Sequence, residues 1–390
     1  MKRIHSSTLS RQFHLASAGV KAGWSLTKGH IETSWISTAD QREAARLNAM
    51  KKSAQQWAQE IGQLKGGIVK AGQILATYGD YCLPAPLAQA LHHLESETEP
   101  LCWAAISPLL DGALQNKRAE LIIDPAAIAA ASLSQVHKAR IKRNNQVICL
   151  KILYPNIEKS LVSDFSVLKK SLLLLMARKQ RKNLSQQLDD IIFVLLDEID
   201  IKKEAQKIQR WNALLAGDFR YIVPVVDEQY TSETILAMSF EHGVSQNDSS
   251  VLALPQARRN QLAANMLELL LTEILVWGEM QTDPHAGNYR IRIADNSDEK
   301  DSIVLLDFGS VRAIEGDLLQ ALQKMLLAAY FDDEPLLRKA MIDAGFLSID
   351  APEIVQAAFC EVLMGMIEPL NYKRRVEKGE DIPSYAMDSQ

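Results

Sequence analysis

At 390 residues, the chain is long enough for one two-lobed catalytic domain plus an extension, and too short for three independent domains. A net charge of −5 and a pI near 6.0 exclude the broad basic surface that nucleic-acid binding needs, so no nucleic-acid partner is expected. The four cysteines, Cys82, Cys102, Cys149 and Cys360, have neither CxxC nor zinc spacing, which excludes a disulfide framework and predicts reduced thiols in a cytoplasmic enzyme.

Residues 1–30 carry Lys2, Arg3, Arg11, Lys21 and Lys28 and no acid, while Phe13, Ala16, Val20 and Trp24 recur at helical spacing. Such a segment fits a peripheral helix on anionic lipid at the inner face of the membrane. It fits equally a helix packed on the catalytic domain with a solvated basic face. No stretch of about 18 apolar residues occurs, and Leu172–Met176 and Met266–Trp277 are too short or contain glutamates, so a soluble or peripheral protein is expected. Further along, Lys70 and Gln73 share one face of a predicted helix, being three residues apart.

The small-residue segment Ala129, Ala130, Ala131 and Ser132 reads by itself as a turn between strands, although its backbone amides are also able to face phosphate. Val147–Lys151 is a β-branched apolar run that ends in a lysine, which taken alone also fits a snorkelling strand-end side chain. Residues 184–216 are helical by period and carry Asp197, Glu198, Asp200 and Glu204. Asp200 and Glu204, one turn apart, share a face, and a glutamate projecting toward Lys151 would orient that lysine and keep it charged. Ile235–Ser239 then reads as a strand leading into a hinge at Phe240–Gly243, with Met238 and Phe240 placed to meet an adenine.

The most chemically explicit stretch is Gln281-Thr-Asp283-Pro-His-Ala-Gly-Asn288, followed nineteen residues after Asn288 by Asp307-Phe308-Gly309. Asp, Asn five positions on, and then Asp-Phe-Gly is the polar set with which protein-kinase-like enzymes hold Mg-ATP. Hard Mg²⁺ prefers carboxylate and amide oxygens, so Asp307 and Asn288 are the expected metal ligands and Asp283 the residue that orients or deprotonates an acceptor. Between them a β-hairpin is expected: Tyr289–Ile293, a polar turn at Asn296–Asp301, and Ile303–Leu306, with the two metal ligands at its ends.

Together these segments resemble the UbiB/AarF/ADCK family of atypical kinase-like proteins, over roughly residues 60–315 and in the family's order. Lys70-Ala-Gly-Gln73 matches its KxGQ signature, Ala129–Ser132 its alanine-rich loop, Glu198-Ile-Asp200 its ExD signature, and Asp283-Pro-His-x-Gly-Asn288 its catalytic loop. The resemblance implies that Lys70 and Gln73 lie on a helix folded over the active site, that Lys70 contacts Glu198 and Asp200, and that Lys151 pairs with Glu204. It also implies poor protein-kinase activity, and ATP hydrolysis or phosphorylation of a small or lipid-like molecule in ubiquinone biosynthesis or lipid homeostasis. This chain departs from the family pattern at Cys149, where alanine is usual, and at Ser134, where glycine is common. No Ala-Pro-Glu follows the Asp-Phe-Gly, and membrane-spanning C-terminal segments are lacking.

The reading is an α+β, two-lobed protein-kinase-like fold with an N-terminal helical extension. Its expected divisions are 1–110 (extension), 111–242 (N-lobe), 243–350 (C-lobe) and 351–390 (helical tail, disordered from about Tyr372). Asp283, Lys151 and Glu204 are the expected catalytic residues, and Lys70, Gln73, Glu198 and Asp200 the regulatory ones. Ala129, Ala130, Ala131, Ser132, Met238 and Phe240 join Lys151 in binding ATP. ATP and Mg²⁺ are the expected cofactors, and a lipid or prenyl-quinone precursor the expected partner. A non-catalytic ATP-binding scaffold and a protein kinase of unknown acceptor are the alternatives.

Overall fold

Strand alternation organises the first half of the protein. β1 (Leu121–Ala130), β2 (Ser134–Ile141) and β3 (Val147–Leu153) form an antiparallel meander. After the two-residue β4 (Tyr221–Ile222), β5 (Ile235–Ser239) returns to pair with β3, giving the sheet order β1-β2-β3-β5. Successive side chains of a strand point to opposite faces, so Ile148, Leu150 and Ile152 of β3 all point one way. They are buried with Ile235, Ala237 and Tyr230, and with Ile106, Leu110 and Leu114 of the helix α1 (Trp103–Leu114). Each such aliphatic side chain contributes roughly 1.5–3 kcal/mol by leaving water. Lys151 and Cys149 are thereby sent to the other face of the strand. The boundary expected at residue 110 thus falls inside α1, which belongs to the core of the sheet. Pro125 lies within the register shift of β1, since it has no N–H to give to the ladder.

The computed structural model describes residues 51–52, 55–56, 88–89, 100–131, 133–175, 178–294 and 300–378. They fall into two compact units, one comprising the described residues up to Gly243 together with Val304–Gly309, the other Val244–Ile303 with the described residues from Ser310 on.

In the first unit, α2 (Ile157–Leu175) and α3 (Arg178–Glu198) are amphipathic helices. They bury Leu161, Leu168 and Leu172 from one, and Leu184, Leu188, Ile191 and Leu195 from the other, at helical spacing. The helix expected over 184–216 is not continuous. It breaks after Glu198, and α4 (Ile201–Leu214) begins at Asp200, whose backbone is extended and whose side chain accepts from Lys203 N at 3.1 Å. Aspartate is among the best N-caps because its carboxylate satisfies a donor that the first helical turn leaves without a partner.

The second unit opens with the short α5 (Ser249–Leu252) and α6 (Gln256–Thr272), which continues into a π-helical turn, Glu273–Trp277. Gly278 ends that turn with φ +65°, and a side chain there would also press on Leu319, 3.0 Å from the position of its Cβ. β6 (Glu279–Gln281) leads to the catalytic-loop sequence and then to the neighbouring strands β7 (Tyr289–Arg292) and β8 (Ser302–Leu305). β9 (Val311–Ala313) pairs antiparallel with β6. Three helices, α7 (Gly316–Tyr330), α8 (Glu334–Asp343) and α9 (Glu353–Lys378), share a core of Met325, Ala328, Leu337, Met341 and Cys360. α9 therefore packs within this core rather than forming a separate tail, and it runs past Tyr372 to Lys378. Among the described residues no helix is long and apolar enough to cross a membrane.

Removing the cap that separates α3 from α4 is expected to destabilise the fold by about 1 kcal/mol. Asp200→Ala should lower the denaturant midpoint accordingly, and Asp200→Ser should retain most of the stability.

Candidate active site

Lys151, carried to the open face of β3, meets Glu204 from the first turn of α4: Nζ lies 2.6 Å from Glu204 Oε1. The same ammonium is 3.5 Å from Oδ1 of Asp307, so two carboxylates face one cation. The side chain of Glu204 is 1% exposed and that of Lys151 15%, whereas Asp307 keeps 39% of its side-chain surface open to solvent. Burial works against the charged Lys151, but Glu204 and Asp307 outweigh it and hold the ammonium above its usual range. Burial likewise disfavours the Asp307 carboxylate, and Lys151 with the Gly309 amide reverses this and lowers it. Glu204 is raised by burial, against the pull of Lys151, and Asp307 adds to the rise. Its second oxygen, Oε2, is buried without a hydrogen-bond partner.

The turn after Asp307 is held by α4. Phe308 is buried and meets Trp211 edge to face, with ring centroids 5.3 Å apart. Gly309 N donates to Asp307 Oδ1 at 3.0 Å, and Gly309 O accepts from Lys207 Nζ at 3.1 Å. A Cβ on Gly309 would lie 3.3 Å from Asp307 Oδ1, tighter than ordinary contact, so this position favours glycine.

In the second unit the loop between β6 and β7 is ordered by its own hydrogen bonds. Gln281 N donates to the buried carboxylate of Glu273 at 2.9 Å, and Gln281 Oε1 accepts from Asp283 N at 3.2 Å. Asn288 is buried at the end of a 3₁₀ turn, with Nδ2 donating to Asp283 O at 2.8 Å. That bond commits the amide nitrogen to the main chain of Asp283. His285 Nδ1 accepts from Gly287 N at 2.9 Å, so in the neutral ring Nε2 carries the proton, 3.6 Å from Asp283 Oδ2. Asn288 immediately precedes β7, and Asp307 follows β8 by two residues.

The other expected site residues among those described lie in or next to strands and at helix ends. Ala129 and Ala130 are the last residues of β1, paired with Val136 and Gln135, so the loop is reduced to a tight turn in which Ala131 N donates to Ser134 O at 2.8 Å. At the hinge, Ala237 O and Ser239 N face Asp227 and Val225, which by alternation turns the Met238 main chain toward β3. The N–H of Phe240 donates to Val147 O, and its ring carries Lys138 Nζ at 4.3 Å. Met238 and the Phe240 amide therefore offer no free backbone edge to a base. Cys149 lies between Lys138 and Met238 in the register, and burial pushes its thiol up to about 11. Asp200 caps α4 and Glu198 ends α3, its Cγ 3.7 Å from the position of a Gly309 Cβ. Lys70, Gln73, Ser132 and the basic segment 1–30 lie outside the described residues.

A model of the ABC1 atypical kinase-like domain matches residues 93–341. The chain belongs to this family. Its fold is the α+β kinase-like fold of the ABC1 domain. The ABC1 relatives include the atypical kinase COQ8, mitochondrial, of Saccharomyces cerevisiae, 25% identical over 97% of this chain and 74% of its own length. A probable serine/threonine-protein kinase, abkA, of Dictyostelium discoideum is 26% identical over 95% of this chain and 67% of its own. The probable protein kinase UbiB of Marinobacter nauticus is 26% identical over 80% of this chain and 56% of its own. Among solved structures, the complex of Rv3197 with erythromycin from Mycobacterium tuberculosis is similar at 23% identity, covering 80% of this chain and 78% of that one, with a TM-score of 0.48.

Within this ABC1 chain four residues have structural roles that the sequence reading did not assign. Lys207 sits one turn beyond Glu204 and looks like any solvated lysine. Gln135 and His137 are fully buried in β2, where Gln135 bonds both N and O of Leu101 and His137 Nδ1 donates to Asp124 O. A polar pair inside a strand was the available signal. Glu273 is one of two acids in the apolar run Met266–Trp277 and the one that is buried, a difference that residue type alone does not signal.

Burial raises Glu273 to about 7, the Gln281 amide opposing and Glu279 adding. The folded value exceeds the unfolded one, so the protonated form is favoured by folding. The resulting stabilisation is complete below the unfolded value and is lost as pH rises toward 7, by roughly 3 kcal/mol at most. Glu273→Gln removes this dependence. Relative to wild type, the variant should gain stability between pH 5 and pH 8, read from denaturant midpoints at the two values.

Proposed function

We propose that this ABC1 protein binds ATP with Mg²⁺ and either hydrolyses it or transfers its terminal phosphoryl group to a small or lipid-like acceptor. The observation that carries this reading is the Lys151–Glu204–Asp307 cluster, at 2.6 and 3.5 Å, in which two carboxylates share one ammonium. Burying such a cluster costs more in desolvation than a packed apolar core would, so its presence argues for chemistry rather than stability.

The donor set suits Mg²⁺. Among the described residues no group of three or more His, Cys, Asp and Glu forms a protein-only cage. One carboxylate and one amide oxygen, completed by phosphates and water, is how Mg²⁺ is held in phosphoryl-transfer sites. Asp307, half-buried and held ionised, would supply the carboxylate, and Asn288, with its nitrogen committed to Asp283 O, would supply the amide oxygen. The second carboxylate beside Lys151, that of Asp307, favours a nearby cation. When bound, Mg²⁺ neutralises charge on the transferring phosphoryl group.

Lys151, fixed by Glu204, is positioned to neutralise the inner phosphates. Asp283, whose main chain is pinned by Gln281 and Asn288, is positioned to orient an acceptor hydroxyl or water and take its proton. Backbone binding of adenine falls to groups beyond the Phe240 amide. The acceptor class and the link to ubiquinone (prenyl-quinone) biosynthesis or lipid homeostasis rest on the family resemblance. The free thiols of Cys102, Cys149 and Cys360 support a reducing, cytoplasmic setting.

Phosphate release from ATP, measured with Mg²⁺ and with or without anionic liposomes containing a prenylphenol, tests this reading. Turnover that the lipid raises and that Asp307→Asn reduces by at least about a hundredfold is the expected result. Nucleotide binding with no turnover under either condition would overturn the hydrolytic reading and leave an ATP-binding scaffold.

A further inference from the structure

The face of α4 that presents Glu204 continues into two further side chains that touch the Asp307-Phe308-Gly309 turn. Residues three and seven positions beyond Glu204 share its stripe on a helix, and these are Lys207 and Trp211. Trp211 packs against the ring of Phe308, and Lys207 Nζ donates to Gly309 O at 3.1 Å. Lys207 is itself held by Asp197 at the end of α3: Nζ lies 3.3 Å from Asp197 Oδ2, while Asp197 Oδ1 accepts from Lys203 Nζ at 2.7 Å. The Asp197 side chain is 14% exposed and that of Lys207 21%, so this contact is shielded from water and not a solvated surface pair. Gly309 in turn donates its N–H to Asp307 Oδ1 at 3.0 Å. A continuous chain of polar contacts thus runs from Asp197 through Lys207 and Gly309 to the carboxylate oxygen of Asp307.

We infer that Lys207, braced by Asp197, is a positioning residue that straps the Asp307-Phe308-Gly309 turn in the conformation able to bind a metal ion, an inference that rests on the proposed Mg-ATP site. The physical reason is that a glycine-ended turn has a soft backbone, and one contact on each residue helps to fix it: Lys151 on Asp307, Trp211 on Phe308 and Lys207 on Gly309. Of these, Lys207 holds the backbone carbonyl whose peptide must rotate if the turn is to flip. The groups that orient a metal ligand are typically worth about ten- to a hundredfold in metal affinity.

Three variants test the strap: Lys207→Met, which keeps the stem and removes the cation, Asp197→Asn, and Lys207→Arg, which keeps a cation able to reach both partners. The first readout is hydrogen exchange of the 304–311 segment in ligand-free protein. The second is the Mg²⁺ concentration for half-maximal binding of a non-hydrolysable ATP analogue. Lys207→Met is expected to speed exchange in that segment and raise the Mg²⁺ requirement roughly tenfold, with affinity for the analogue in the absence of metal unchanged. Asp197→Asn should shift both readouts in the same direction, and Lys207→Arg should restore them toward wild type. Exchange and Mg²⁺ requirement both unchanged in Lys207→Met would overturn the strap, as would a Lys207→Arg variant no better than Lys207→Met. Exchange that responds while no variant and no wild type binds the analogue would support the strap and sink the nucleotide reading instead.

Discussion

Everything in the first unit that bears on chemistry converges on the ammonium of Lys151. It is buried, it has two carboxylates within 3.5 Å, and the cluster as a whole retains excess negative charge. A buried cation of this kind survives only if it is paired, and removing one partner leaves an uncompensated charge that costs about 3–5 kcal/mol. β3 supplies the lysine because alternation has already assigned its neighbours Leu150 and Ile152 to the apolar face. α4 supplies the glutamate because Asp200 starts the helix where Glu204 falls in its first turn. The sheet, the α3–α4 break and the turn at Asp307 are therefore coupled through a single charge.

The second unit uses a different device for the same end. Its loop is rigidified by a relay of short-range hydrogen bonds from Glu273 through Gln281 to Asp283 and Asn288, with no opposed charges. The π-helical turn and the left-handed Gly278 direct the chain out of α6 so that Glu273 lies beneath the loop eight residues later. π-helical turns are energetically poor and tend to be kept where they place a functional group, which fits a carboxylate supporting a catalytic loop.

Much of the architecture was legible beforehand because it follows from local periodicity. The strand carrying Lys151, β5 and β8 are short apolar runs rich in aliphatic residues, and β7 alternates as Tyr289-Arg-Ile-Arg292. The helix over 184–216 was misread as continuous because Ile199 and Ile201 keep an apolar period across the break. Only the competition between a helical and a capping conformation at Asp200 decides it, and aspartate is poor in the first role and good in the second. The alanine segment was read as a loop because small residues suggest turns. Its pairing with β2 depends on Val136 and Gln135 being opposite, which is a register and not a composition.

The sequence by itself determined the kinds of residues available for chemistry: the order of Lys151, Glu204, Asp283, Asn288 and Asp307, and the oxygen donors suited to a hard cation. These are properties of side-chain type and spacing, and they survive without coordinates. The tertiary structure brings Glu204 to Lys151 across 53 residues of chain, as the resemblance implied, and it alone decided that Lys207 grips Gly309 across 102. Such pairings depend on how far a sheet face and a helix stripe are brought together, a distance set by the packing of the core between them and by no property of the charged residues themselves.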